Sequence, residues 1–222
     1  MNTKSVRDVI SYDQGYELIL VLKKAGFNVD LIQKIINSKS NRLAKEMYGF
    51  IASVTQASDQ FELVNTFSII VPAGYNHATR LDTFGKKHRR EFSLYNSAIN
   101  DENYGRGTTK LIPGERFRVK IFRIKGTVSS EDCLAFLHSQ KALLVGAQGL
   151  SLVYEQDRNY ISVSIQCLVS FDKKDALWQG TSGDYRVPYM WHHQDGSFEF
   201  NLGFFELQWG DNCSIICFCA TE

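Results

Sequence analysis

The side chains best equipped for chemistry fall into three groups along the chain. The first is basic: Lys86, Lys87, Arg89 and Arg90 flank His88 in one run, close to Phe84, Phe92 and Tyr95. Arg116, Arg118 and Lys120 follow at every second position. Cations interleaved with aromatic rings can track a phosphate backbone and stack on bases, which makes this a candidate nucleic-acid contact. The same composition also suits a solvated helix end or loop. The second group is Trp191, His192 and Asp195, beside His193 and the turn pair Asp195-Gly196. A histidine and an aspartate that converge could transfer protons or hold a metal, and the tryptophan could wall a pocket. Adjacent strand residues face opposite ways, so only one of His192 and His193 can join Asp195 or the distant His77. The third group is Cys213, Cys217 and Cys219, which share a face if their segment is a strand. Their spacing is not that of a zinc knuckle, and cysteine is among the most buried residue types, so a core role is expected.

Other chemistry has little support. No Walker loop, dinucleotide fingerprint, nucleophile elbow, HExxH helix or EF-hand loop occurs. Gly146-Ala147-Gln148-Gly149 is a GxxG, but it sits in an apolar run without flanking lysines, and phosphate binding is not expected there. Cys133 and His138 are five apart on one helix and point away from each other. No catalytic residue, metal or other cofactor is expected.

Charge is distributed unevenly. The formal net charge is only +1. Residues 80–125 nevertheless carry 12 Lys/Arg against 5 Asp/Glu, and residues 126–222 carry 5 against 12. If the basic part forms a continuous face, it attracts a polyanion; if the two parts pair, the charges cancel. Five cysteines without framework spacing fit a reducing compartment. No apolar run approaches the roughly 20 residues of a membrane span. The opening MNTKSVRDVISYDQ lacks the apolar core of a secretion signal, and a cytoplasmic location is expected.

These groups need elements to hold them. Residues 1–55 read as a small helical module. Ser11, Asn28 and Ser40 are candidate N-caps, and Gly26 and Asn37-Ser38-Lys39 are breaks. Its second and third helices have helix-turn-helix spacing, which would present Asn41, Arg42 and Lys45 to a DNA groove. Polar residues 53–60 form a candidate linker, and residues 61–222 a second domain. There, Phe61 to Val71 reads as a strand stopped by Pro72. In LIPGERFRVKIFRIKG, Phe117, Val119 and Ile121 alternate with Arg116, Arg118 and Lys120, the period of a half-buried strand. A phase slip at Ile121-Phe122 predicts a bulge. Ser129 and Asp132 predict a capped helix of about ten residues. Ala142 to Tyr154, apolar almost throughout, reads as a strand buried on both faces, and the strand–helix–strand could be a parallel crossover. Residues 100–107 read as a mobile loop, Tyr160 to Phe171 as a strand, and Asp172 to Trp178 as a turn. Tyr185 to His193, the Asp195-Gly196 turn and Ser197 to Trp209 read as a hairpin, and Cys213 to Ala220 as a last strand. The expected class is α+β: a mixed, mostly antiparallel sheet with one or two helices behind the helical module.

The order FSIIVPAGYNH, KLIPGERFRVKIF, SSEDCLAFLHSQKALLVGAQGLSLVYEQ, VSFDKKDALW and FCATE resembles a group of proteins of candidate-phylum bacteria, the Parcubacteria and their relatives. The resemblance covers residues 61–222. It implies a bacterial, cytoplasmic protein and carries no activity, ligand or catalytic residue with it. The expectation is therefore a non-catalytic binding protein whose segment 80–125 contacts nucleic acid or an acidic protein. One alternative is a small hydrolase or transferase with a pocket around Trp191, His192 and Asp195. Another is a structural or assembly protein.

Overall fold

The computed structural model describes residues 60–221, together with Asp30 and Lys34. Apart from those two residues, the expected helical module, with Asn41, Arg42 and Lys45, and residues 53–59 of the candidate linker lie outside the described residues.

Ten strands and four α-helices follow one another in residues 60–221: β1 (Phe61–Ile70), α1 (Arg80–His88), β2 (Phe92–Tyr95), α2 (Asp101–Tyr104), β3 (Arg116–Ile124), β4 (Val128–Ser129), α3 (Ser130–Ser139), α4 (Gly146–Gln156), β5 (Cys167–Val169), β6 (Trp178–Gln179), β7 (Tyr185–His192), β8 (Phe198–Phe204), β9 (Gln208–Trp209) and β10 (Cys213–Ala220). Eight strands form one sheet in the order β1-β3-β10-β5-β7-β8-β2, with β6 on β7; β4 and β9 pair separately. The pairs are antiparallel except β10–β5 and β2–β8. The class is α+β, with more helices than the one or two expected.

Cross-strand partners point to the same side of a sheet, and the register therefore sorts the side chains into two faces. Phe117, Val119 and Ile121 oppose Ala220, Phe218 and Ile216 on one face, which runs on through Ser214 and Leu168 to Met190 and Phe200. Helix α1 packs there, with the Phe84 ring 5.9 Å from Phe200. So does α4, where a Cβ on Gly149 would lie 3.1 Å from the Phe218 ring. On the other face, α3 packs through Phe136, whose ring is 4.1 Å from Phe61 and 4.9 Å from Phe122. Phe84 is fully buried, and removing a side chain of that size from a core costs about 3–5 kcal/mol.

Several sequence expectations need correction. Residues 146–156 form helix α4, not a strand. It is buried at every position from Gly146 to Tyr154, and the trace of its helical period is Gln148, Ser151 and Glu155, spaced three and four residues apart on the side that meets Tyr75 and Arg80. The strand that follows it, β5, pairs with β10 and β7 and not with β3, which removes the parallel crossover from β3. The irregularity near Ile121-Phe122 lies on the partner: Leu63 opposes Phe122 and Asn65 opposes Ile121, leaving Val64 as the extra residue of β1. Residues 100–107 include the short helix α2, capped by Asn100, whose Tyr104 is buried and donates its hydroxyl to Arg186 O at 3.0 Å. Only Cys167–Val169 of the expected strand 160–171 is extended. The Ser129 cap of α3 and the β7–β8 hairpin form as expected, with Gly196 at φ +83° in the turn.

Candidate functional site

The basic run lies at the end of α1. The start of that helix is held by Asp101 of α2, whose two carboxylate oxygens accept from Leu81 N at 2.9 Å and Asp82 N at 3.0 Å. Asp82 Oδ1 accepts from Asp101 N in return. A carboxylate on the first free amides favours this helix end, and Lys86, Lys87 and His88 fill the last turn, where cations are favoured. Leu81, Phe84 and His88 face inward. Lys86, Arg89 and Arg90 are left at the rim of an open hollow of about 320 Å³, whose lining includes Leu81, Tyr95 and Ile99. Among the described residues, no carboxylate lies within ion-pair distance of those three cations.

The opposite flank of α1 is a closed charge network. Arg80, buried, donates to Ser151 Oγ at 3.0 Å, to Ser151 O at 2.9 Å and to Glu155 Oε2. Glu155 Oε1 also takes Lys87 Nζ at 3.3 Å and His88 Nε2 at 2.8 Å. The second ring nitrogen of His88 lies 2.9 Å from Glu91 Oε1. Both ring nitrogens thus face carboxylates. Tyr154 donates to Glu91 Oε2 at 3.1 Å, and Arg158 stands 3.6 Å from it. Burial disfavours the ionised form of Glu155, but the bonds from Arg80, His88 and Lys87 outweigh it and hold the carboxyl below its usual range. Glu91 is lowered in the same way, its slight burial outweighed by hydrogen bonds from His88 and Tyr154. Burial, reinforced by Glu91, pushes the Tyr154 hydroxyl up to about 12.

This network went unseen at the sequence level. The His88–Glu91 spacing of three is a local signal, but Glu155 is 67 residues from His88 in the chain. Its effect on the basic run is specific. Lys87 pairs with Glu155, whereas Lys86, Arg89 and Arg90 stay at the hollow.

The remaining candidates are dispersed. Arg116 and Arg118 are exposed and Lys120 half-buried. They project from the side of β3 opposite Phe117 and Val119, hence away from the face that carries α1. The sheet separates the two basic groups and they do not form a shared surface. Trp191, His192 and Asp195 do not converge either. His192 stacks on Phe198 at 4.0 Å and its Nδ1 lies 2.6 Å from Ile161 O, while Trp191 points to the opposite face. Asp195 is spent on the turn, accepting from Ser197 N at 2.9 Å and Ser197 Oγ at 2.7 Å. Cys213 and Cys217 are buried and Cys219 is half-buried. The GxxG glycines lie in the first turn of α4, with Asp172 Oδ2 3.3 Å from where a Cβ on Gly146 would stand. That carboxylate occupies the space a phosphate would need. Asp172 accepts from Thr108 N and Lys173 N, yet burial pushes its carboxyl above the usual range. Among the described residues, no group of three or more His, Cys, Asp or Glu is placed to hold a metal ion. Among them, too, no helix is long and apolar enough to cross a membrane. Comparison of the chain with protein-family models, with curated proteins and with solved structures gives no match.

Proposed function

We propose that the protein is a non-catalytic binding protein and that the end of α1 engages single-stranded nucleic acid. The observation that carries this reading is the asymmetry around α1. On one flank Arg80, Lys87 and His88 are engaged by Glu155 and Glu91, while the other holds Lys86, Arg89 and Arg90, without a carboxylate partner among the described residues, around a hollow lined by Leu81, Tyr95 and Ile99. A phosphate backbone satisfies three cations along one rim, and an unstacked base suits an apolar recess beside them. Asp82 in the same hollow lowers the local charge by one and limits affinity.

The salt dependence follows from the count. Three phosphate contacts to a single strand give a slope of log K against log[salt] of about −2, so affinity falls roughly twentyfold between 50 and 200 mM salt. The test is fluorescence anisotropy of a labelled single-stranded oligonucleotide with the full chain. The triple variant K86E/R89E/R90E abolishes binding and its salt dependence. The variant R116E/R118E/K120E, on the far side of the sheet, leaves binding within about twofold. Undiminished binding by the first variant overturns the reading. Binding of an acidic protein, but of no oligonucleotide, through the same three residues replaces nucleic acid with that partner.

A further inference from the structure

We propose that the hollow at the end of α1 selects guanine among the bases of a single strand, and that Asp82 is the residue that selects it; this rests on the single-strand reading of the same site. Asp82, Gly85, Lys86 and Arg89 stand at i, i+3, i+4 and i+7, so one stripe of α1 faces the hollow. Gly85 keeps the middle of that stripe bare. A Cβ there would stand 3.1 Å from Tyr95 Oη, and a larger side chain would fill the recess. The Tyr95 ring is held edge-on against Phe200 at 5.7 Å, and its hydroxyl donates to Ile99 O at 3.3 Å. Tyr95 therefore offers a ring and no free proton.

The Asn100 amide in the same lining is already engaged. Its Oδ1 accepts from Asn103 N at 2.9 Å and its Nδ2 donates to Ser97 O at 3.1 Å. The Asp82 carboxylate is not. Its Oδ1 has one long contact, 3.3 Å from Asp101 N. Among the described residues no cation lies within ion-pair distance of it, Lys86 one turn on included. The Ser97 hydroxyl can donate or accept and so does not discriminate, whereas a carboxylate only accepts. It favours a base edge with two adjacent N–H donors. Guanine presents N1–H and N2–H side by side, and its O6 and N7 acceptors suit a cationic rim. Adenine and cytosine set a ring lone pair beside their amino group, and thymine flanks its N–H with two carbonyl oxygens. Each of these turns an acceptor toward the carboxylate. A bidentate base contact discriminates by roughly five- to 150-fold, and in an open hollow the lower part of that range, about tenfold, is expected.

The test is fluorescence anisotropy of labelled pentanucleotides with the full chain: dTTTTT against dTTGTT, dTTATT, dTTCTT and dTTITT, whose hypoxanthine lacks only the N2 amino group of guanine. We expect dTTGTT to bind about tenfold tighter than dTTTTT, and dTTITT to lose most of that gain. D82N keeps an oxygen for Asp101 N but sets a donor beside it; it loses the guanine preference and still binds dTTTTT. Tryptophan fluorescence checks that the variant is folded, and the hypoxanthine comparison needs no variant. Equal binding of all five oligonucleotides, abolished by K86E/R89E/R90E, overturns the guanine selection and leaves the single-strand reading standing. Hypoxanthine bound as tightly as guanine, or a preference kept in folded D82N, does the same. Binding of none of the five overturns both.

Discussion

Replacing Glu155 by alanine tests whether the network between α1 and α4 is what holds α1 in place. The Glu155 side chain is 16% exposed and that of Arg80 8%, and deletion leaves a buried guanidinium without its counter-charge. Removing one member of a buried pair costs about 3–5 kcal/mol. Arg80 keeps both bonds to Ser151, and His88 keeps Glu91, so the low end, about 3 kcal/mol, is expected. With a urea slope of about 2 kcal/mol/M, the midpoint drops by about 1.5 M. Trp178, Trp191 and Trp209 are the three tryptophans of the chain and all lie in residues 60–221, so their fluorescence follows this part of the protein alone. The double variant R80M/E155L removes both charges and supplies apolar volume, and it is expected to be more stable than E155A. A loss below about 1 kcal/mol in E155A, or a double variant worse than either single one, would refute the argument.

Three further outcomes follow from the same structure. Glu155 and Glu91 have folded pKa values below their unfolded ones. Their contribution is therefore complete above about pH 4.5 and is lost as pH falls through the folded values; acid titration of wild type against E155A should show a shallower loss in the variant. Asp172 has the opposite sign. Its pKa is raised on folding, so it adds stability as pH falls from above the folded value toward the unfolded one, and D172N should make acid unfolding steeper in the same titration. In Gly149→Ala the new Cβ collides with Val145 Cγ2 and meets the Phe218 ring at 3.1 Å. That overpacking costs about 1–3 kcal/mol, readable as a lowered urea midpoint.

Where an element carries its own local pattern, the amino-acid order was enough. The alternation of β3, the Ser129–Asp132 cap of α3 and the Asp195-Gly196 turn of the β7–β8 hairpin each need only a few neighbouring residues. Helix α4 shows the limit. A helix covered on all sides and a strand covered on both sides are both written as largely apolar runs, and in α4 the helical period survives only in the spacing of Gln148, Ser151 and Glu155. The bulge lies on β1 and not on β3 for a related reason: the sequence of β3 shows that its phase changes, but not which partner holds the extra residue.

The candidate sites divide along the same line. Which residues carry charge, sulfur or an imidazole ring is settled by the chain alone, and so is the run that puts Lys86, Arg89 and Arg90 within one turn. Only the folded chain decides that Glu155 pairs with Lys87, that His88 lies inside between two carboxylates, and that β3 turns its own cations to the far side of the sheet. Linear charge has no direction, whereas sheet register gives each side chain a face, and interactions across tens of residues exist only once that register is set.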